Sequence, residues 1–254
     1  MRLEYREPVY VGKVRDIYDV TPSHYLFHTT DRISAFDIKM EQTVPGRGKI
    51  LNDITAFWSK HTSDIVPNHY IRHDGDQMWV QKSQPIKLEF IVRKCILGSF
   101  YALHKDKFHE GEMLERPILT PSTKSEDKDI LISEEKARQI SYHYTAIKPI
   151  CFELFNRAYD YLWERGIVLA DTKFEFGIAN KRVTLIDEYL TPDSSRFIRR
   201  EDYEQGNFVP LDKQILRNYL ISIDYKNQER IVLPEELIQE IQTNYQYMKE
   251  VICG

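Results

Sequence analysis

The stretch LADTKFEFG, residues 169–177, places Asp171, Lys173 and Glu175 at alternate positions of what reads as a strand. Successive strand residues point to opposite faces, so these three look one way while Thr172, Phe174 and Phe176 look the other. A charged face backed by an aromatic one is either a solvated sheet surface, held as a salt-bridge ladder, or the wall of a polar site. The apolar flanks, Ile167 to Ala170 and Leu185–Ile186, argue for burial and therefore for the second reading.

The strand from Ile167 to Ile178 is followed by Asn180, Lys181 and Arg182 and then by a second strand, VTLIDEYL. A three-residue loop would pair Ala179 with Val183 and set Glu175 opposite Asp187; a two-residue loop would send the two acids to opposite faces. The three-residue loop is the expectation adopted. Like charges facing each other across strands need a cation between them. Two carboxylates without His or Cys suit a hard ion, typically Mg²⁺ bridging to phosphate. TPDSSRF, residues 191–197, comes next, a donor-rich turn ending in Arg196 that has the composition of an anion cradle.

Around this hairpin the chain is globular in character. Its 254 residues suffice for one large domain or two smaller ones, and 42% hydrophobic with 12% aromatic residues excludes a disordered chain. A net charge of -4, from 35 basic and 39 acidic residues, gives no footprint for nucleic acid. Cys95, Cys151 and Cys253 are scattered, so neither a disulfide framework nor a zinc site is indicated. MRLEYREPVYVGKVRDIY is charged from its start, with no apolar h-region, and no apolar run approaches the roughly 20 residues that span a bilayer. The expectation is a soluble cytoplasmic protein that binds neither membrane nor nucleic acid.

The first thirty residues read as short strands, and a helix follows the PGRG turn at Pro45 to Gly48. DQMWVQKSQPIKLEFIVRKCIL reads as two strands joined near Ser83 to Pro85, which divides the chain into an N-terminal lobe 1–84 and a C-terminal lobe 85–254. TPSTKSEDKD, residues 120–129, reads as a surface loop. Ser133 caps a long helix expected to kink at Pro149 and to end at Gly166. Two more helices start near Asp212 and Pro234, the last with Leu237, Ile241, Tyr245 and Met248 on one stripe. Hairpins mixed with helices, without repeated βαβ units, indicate an α+β fold.

GKVRDIY, residues 12–18, puts Gly12 between two strands beside Lys13 and Arg15, where backbone could approach phosphate oxygens. It is not a Walker A loop. A bulge glycine is the commoner explanation for such a site. VRKCILGSF adds Arg93 and Ser99 as a second anion contact, against the plain reading of a strand-to-helix turn. The eight histidines are scattered and read as non-ligands, and no hydrolase signature is present.

Taken in order, GKVRDIY, TDRISAFD, PGRGKILN, VRKCILGS, TPSTK, LADTKFEFG and DEYLTPDSSRF closely resemble the SAICAR synthetase (phosphoribosylaminoimidazole-succinocarboxamide synthase) family, from about residue 10 to about 220. The resemblance implies an ATP-dependent ligase of purine biosynthesis joining L-aspartate to the carboxylate of carboxyaminoimidazole ribonucleotide (CAIR), with release of ADP and phosphate. It also implies a kinase-like or ATP-grasp-like two-lobed fold with ATP in the cleft. By position, Gly12, Lys13, Arg15 and Lys82 fall to the nucleotide, and Glu175 and Asp187 to Mg²⁺. Asp171, Lys173 and Lys124 fall to catalysis. Arg93, Ser99 and Arg196 hold the ribonucleotide's 5′-phosphate, with Asp193, Ser194 and Asp37 also on the substrate side. One departure is Lys128–Asp129, where the family often has His-Asp after TPSTK. The rival reading is a small-molecule kinase using the same cleft. The resemblance leaves room for a homo-oligomer.

Overall fold

The computed structural model of the chain describes residues 7–124 and 130–254. Short strands with turn residues between them build a first, wholly antiparallel sheet. It begins with β1 (Tyr10–Val11), β2 (Arg15–Thr21) and β3 (His24–Thr29). A small hairpin, β4 (Arg32–Ala35) and β5 (Ile38–Thr43), and helix α1 (Arg47–His61) then intervene. Strands β6 (Tyr70–Asp74) and β7 (Gln77–Gln81) complete the sheet in the order β1-β2-β3-β7-β6.

The central sheet starts three residues later with β8 (Gln84–Cys95), followed by α2 (Gly98–Leu103) and β9 (Met113–Thr123). Thr120 to Thr123 are thus strand, not loop: Ser122 pairs with Glu89 and is buried. Pro117 and Pro121, which cannot donate, are tolerated because β9 is the edge of its sheet. Residues 125–129, with the Lys128–Asp129 departure, lie outside the described residues.

Ser133 accepts a hydrogen bond from the Lys136 N–H, capping α3 (Glu134–Ile140) as its sequence predicts. The expected single helix kinked at Pro149 is instead two. Helix α3 ends at Ser141, whose backbone is extended and whose hydroxyl accepts from the His143 N–H, and α4 (Tyr144–Glu164) starts afresh. A serine satisfying backbone locally competes with the helical ladder, and Pro149 rides inside α4. Gly166, at φ 74°, closes α4.

Strand β10 (Ile167–Ala179) is the spine of the central sheet. It pairs with β8 along one edge and, along the other, with β11 (Arg182–Ile186) and β12 (Ser195–Arg199). Its Thr172, Phe174 and Phe176 are fully buried, and Phe90 of β8 meets Phe176 edge-to-face at 5.3 Å. Helix α4 covers that face with Ile147, Leu154, Phe155 and Leu162, each side chain contributing about 1.5–3 kcal/mol by burial. The opposite face, with Asp171, Lys173 and Glu175, is left to the chemistry. Helices α5 (Arg200–Glu204), α6 (Gln214–Ser222) and α7 (Glu235–Cys253) finish the chain. The α7 stripe of Leu237, Ile241, Tyr245 and Met248 is buried, and one hydrophobic core joins it to α1 and the central sheet. Among the described residues no helix is long and apolar enough to cross a membrane.

Candidate active site

The β10–β11 turn corrects the expected register. Ala179 pairs with Arg182, not Val183, because the turn has two residues, Asn180 and Lys181, at φ 49° and 62°. Left-handed backbone at both positions gives the turn whose twist matches the flanking strands. Glu175 therefore faces Ile186. The alternation rule would then send Asp187 to the other side. It does not, because Asp187 leaves the strand at φ 64° and bonds Arg15, in the charge field of Lys124 and Lys173. Although burial favours its protonated form, Arg15, then Lys124 and Lys173, hold the Asp187 carboxyl well below the usual range.

The acid directly across from Glu175 is Glu89 on β8. A cation does lie between the two. Lys173 Nζ donates to Glu89 Oε1 at 2.8 Å and to Glu175 Oε1 at 2.6 Å, while Lys124 donates to the other Glu175 oxygen and Ser122 to Glu89. Burial opposes the Lys173 charge, yet Glu175, Glu89 and Asp187 hold its pKa well above the ordinary value. Glu89 is absent from the sequence-based site. It was legible, because Leu88, Phe90 and Val92 are apolar at alternate positions, which puts Glu89 and Arg93 together on the polar face.

Two elements of the first sheet hold Asp187 in place. Arg15, at the start of β2, is largely buried, lies over the Phe27 ring at 5.1 Å and also reaches Glu188 at 3.8 Å. His69 accompanies Asp187 from behind, with Nε2 3.1 Å from the Asp187 carbonyl. Burial pushes its pKa down to about 4, so the ring is neutral and Nε2–H donates to that oxygen. Nothing in the His69/His73 spacing announces this role.

The Gly12 loop is a tight turn. Gly12 N–H donates to the Arg15 carbonyl at 2.8 Å, and a Cβ at Gly12 would lie 2.7 Å from that oxygen. Arg32, of the TDRIS stretch, ties the loop down through the Gly12 and Lys13 carbonyls and Asp16. Lys13 does not join Arg15: it pairs with exposed Asp37. Lys82 pairs with Asp19 and covers the Tyr25 ring, towards the other end of β2 from Arg15.

The residues expected to face an anion, Arg93 and Arg196, gather around Asp171. Arg93 and Arg196 both donate to Asp171 Oδ2, at 2.9 and 3.1 Å, and Arg196 also donates to the Leu97 carbonyl. Gly98, at φ 60°, lets the Arg196 guanidinium lie where a Cβ would stand 2.5 Å away. Two guanidiniums on one carboxylate leave a net positive charge beside Ser99, which lines the same cleft. Asp193 is largely buried and accepts from Arg47, Lys213 and Tyr245, and Ser194 bonds within its own turn to Thr191. Both therefore build the 191–197 loop. The cleft, about 760 Å³, is lined by Lys173, Asp187, Arg93, Ser99, Asp193 and Arg196, among others. A second depression of about 620 Å³, between α1 and α7, holds none of the candidate residues.

Residues 8–232 match the sequence model of the SAICAR synthetase family. The chain belongs to that family. The phosphoribosylaminoimidazole-succinocarboxamide synthase of Maridesulfovibrio salexigens is 40% identical over 92% of this chain and 89% of its own length. The solved SAICAR synthase of Saccharomyces cerevisiae complexed with SAICAR is 31% identical, with a TM-score of 0.87 over 99% of this chain and 96% of its own. A SAICAR synthetase structure in complex with ADP, 23% identical with a TM-score of 0.78 and covering 96% of each chain, shares the fold. Membership of the SAICAR synthetase family makes the chain an enzyme of the ligase type, performing ATP-dependent ligation in purine biosynthesis, and the kinase reading is not favoured. The α+β architecture expected from the strand and helix pattern is that of the family.

Glu175, Asp187 and Glu89 present carboxylate oxygens, the donor type a hard divalent ion takes, and each is engaged here by Lys173, Lys124, Arg15 or the Ser122 hydroxyl. Among the described residues no three acids, histidines or cysteines form a ready-made metal cage.

Proposed function

We propose that the cleft joins L-aspartate to the CAIR carboxylate at the expense of ATP, giving SAICAR, ADP and phosphate. A carboxylate has no usable leaving group, so the γ-phosphoryl passes first to a carboxylate oxygen of CAIR. The aspartate amine then attacks the acyl carbon, and phosphate departs with that oxygen. Glu175 and Asp187 would hold Mg²⁺, which when bound neutralises the phosphate oxygens. Lys173 and Lys124 offset the negative charge of the carboxylates. Gly12, Lys13, Arg15 and Lys82 serve the nucleotide, between a lobe of residues 1–84 and one of residues 85–254. Arg93, Ser99 and Arg196 take the ribonucleotide's phosphate, with Asp171 setting the two guanidiniums and Asp193, Ser194 and Asp37 on the substrate side. Most of this catalysis is positioning and charge neutralisation.

The observation that carries the reading is the left-handed turn at Asp187. It brings the second acid to the face of Glu175 while tying it to Arg15 of the glycine loop. A cytoplasmic enzyme acting on small molecules, with no nucleic-acid or membrane partner and open to self-association, completes the proposal. The test is ADP release with CAIR and Mg²⁺, with and without L-aspartate, together with detection of SAICAR. Full turnover without L-aspartate would point to phosphoryl transfer to a hydroxyl and sink the ligase reading.

A further inference from the structure

A strand residue sends its N–H and C=O to the same side, and at Phe197 of β12 both are met by residues 211 and 212. The Phe197 carbonyl accepts from the Leu211 N–H at 2.9 Å, and the Phe197 N–H donates to Asp212 Oδ2 at 2.9 Å. Asp212 is fully buried, and its other oxygen accepts the Gln214 N–H at 2.8 Å, at the start of α6. One carboxylate thus completes a strand on one side and caps a helix on the other. Burial opposes its charge, while the two N–H donors, then Arg196 and Arg217, favour it. Phe197 is the neighbour of Arg196. Its ring lies in the core, so by alternation the Arg196 side chain points the other way, to the cleft it lines. Here β12 also meets the irregularity of β10 between Leu169 and Asp171, where Arg196 comes to face Asp171. Lys213 splints the rest of the loop, with its N–H on the Pro192 carbonyl at 3.1 Å and its Nζ on Asp193 at 2.9 Å.

We propose that Asp212 is a positioning residue for the ligation: its carboxylate fixes the β12 backbone at Phe197 and so aims the Arg196 guanidinium at the ribonucleotide's phosphate. The assignment rests on the reading of Arg196 as a phosphate ligand. A guanidinium that takes phosphate through two parallel bonds must be right in angle as well as distance. Asp171 sets only the far end of the side chain and is shared with Arg93, so the near end needs its own anchor. Asp212 supplies it from behind, since it is not among the residues lining the cleft and acts only through the Phe197 N–H. Capping α6 does not by itself call for an acid, because Ser and Asn cap as well as Asp. What the carboxylate adds is a second acceptor oxygen, for a second donor arriving from a different element.

Steady-state kinetics of the full chain with ATP, Mg²⁺, L-aspartate and varied CAIR test this, above the pH of about 6 at which Asp212 titrates. Asp212→Asn keeps one acceptor oxygen and turns an amide NH₂ on the second donor. It should raise the KM for CAIR about 3- to 30-fold, with the KM for ATP and kcat at saturating CAIR within about two-fold of wild type. In the Arg196→Ala background the same substitution should move the KM for CAIR less than about two-fold, because the group it acts through is gone. Asp212→Ser, which caps α6 but has one oxygen for two donors, replaces Asp212→Asn if that variant does not fold. An unaltered KM for CAIR in a folded variant, a general loss in kcat and both KM values, or a full effect that persists without Arg196 overturns the positioning role. Arg196→Ala measured alone keeps the two readings apart: if it leaves the KM for CAIR unchanged, the phosphate assignment itself falls and takes the role of Asp212 with it.

Discussion

Replacing Asp187 with asparagine separates charge from conformation at the centre of the site. Asn tolerates left-handed backbone nearly as well as Asp, so the φ of 64° survives, whereas Asp187→Ala would add about 1–2 kcal/mol of backbone strain. Breaking a fully buried ion pair costs about 3–5 kcal/mol. Here the side chains of Arg15 and Asp187 are 16% and 28% exposed, and Glu188 remains 3.8 Å from Arg15. A loss of about 1–2 kcal/mol is therefore expected, or a fall in Tm of about 2–8 °C for a chain of this size. Activity should suffer far more. Residues that merely orient metal ligands are worth about 10- to 100-fold, so losing one of two ligating acids should lower kcat/KM by more than about 100-fold. The assay is ADP release across a Mg²⁺ titration, with thermal melting followed by circular dichroism. Near-normal turnover at the wild-type Mg²⁺ concentration in a folded variant would refute the metal role. A collapse of the fold would instead show that the Arg15–Asp187 pair is chiefly structural.

Arg196→Ala should raise the KM for CAIR about 10- to 100-fold and leave that for ATP unchanged; an effect confined to ATP would place the 191–197 loop in the wrong pocket. Gly98→Ala should move the same constant in the same direction, since its Cβ would stand 2.5 Å from the Arg196 guanidinium; unaltered CAIR kinetics would show that the guanidinium shifts freely. Burial pushes the Asp212 carboxyl up to about 6, against the donors Gln214 N–H and Phe197 N–H, so the folded state keeps a proton that the unfolded chain releases near pH 4. Its contribution to stability is thus present below pH 4 and lost as pH rises through about 6, on the order of 3 kcal/mol at most, and urea midpoints should show that slope in the wild type and a flatter one in Asp212→Asn.

Side-chain alternation in LADTKFEFG correctly separated the Phe174–Phe176 core face from the Asp171–Lys173–Glu175 face, because burial on one side fixes which way every residue of a strand points. Loop length was not legible. Asn180-Lys181-Arg182 accommodates a two- or a three-residue turn, and only the register seen in the fold decides. The kink expected at Pro149 failed for a related reason. The proline's cost is local and can be absorbed inside α4, while Ser141 offered the backbone a competing partner nearby. The family resemblance groups Lys13 and Lys82 with Arg15 at the nucleotide. Where each lysine goes depends on Asp37 and Asp19, contacts that sequence spacing does not encode.

The corrected register and the placement of Asp187 beside Glu175 share a cause. Left-handed, non-glycine backbone costs of order 1–3 kcal/mol and persists only where surrounding contacts hold it. Phe36 and Asp187 both adopt it and both line the cleft. At Asp187 the holding contacts come from the other sheet: Arg15 of β2 grips the carboxylate, and His69, just before β6, grips the carbonyl. The acid assigned to Mg²⁺ is thus posed by the strand that carries the glycine loop. On the proposed assignment, a nucleotide that shifts that loop also shifts the grip on Asp187, and phosphate binding and metal-site geometry vary together. In Arg15→Lys, which keeps the charge but loses the planar fork, the apparent affinities for nucleotide and for Mg²⁺ should weaken together, and an effect on nucleotide alone would show that the two are uncoupled.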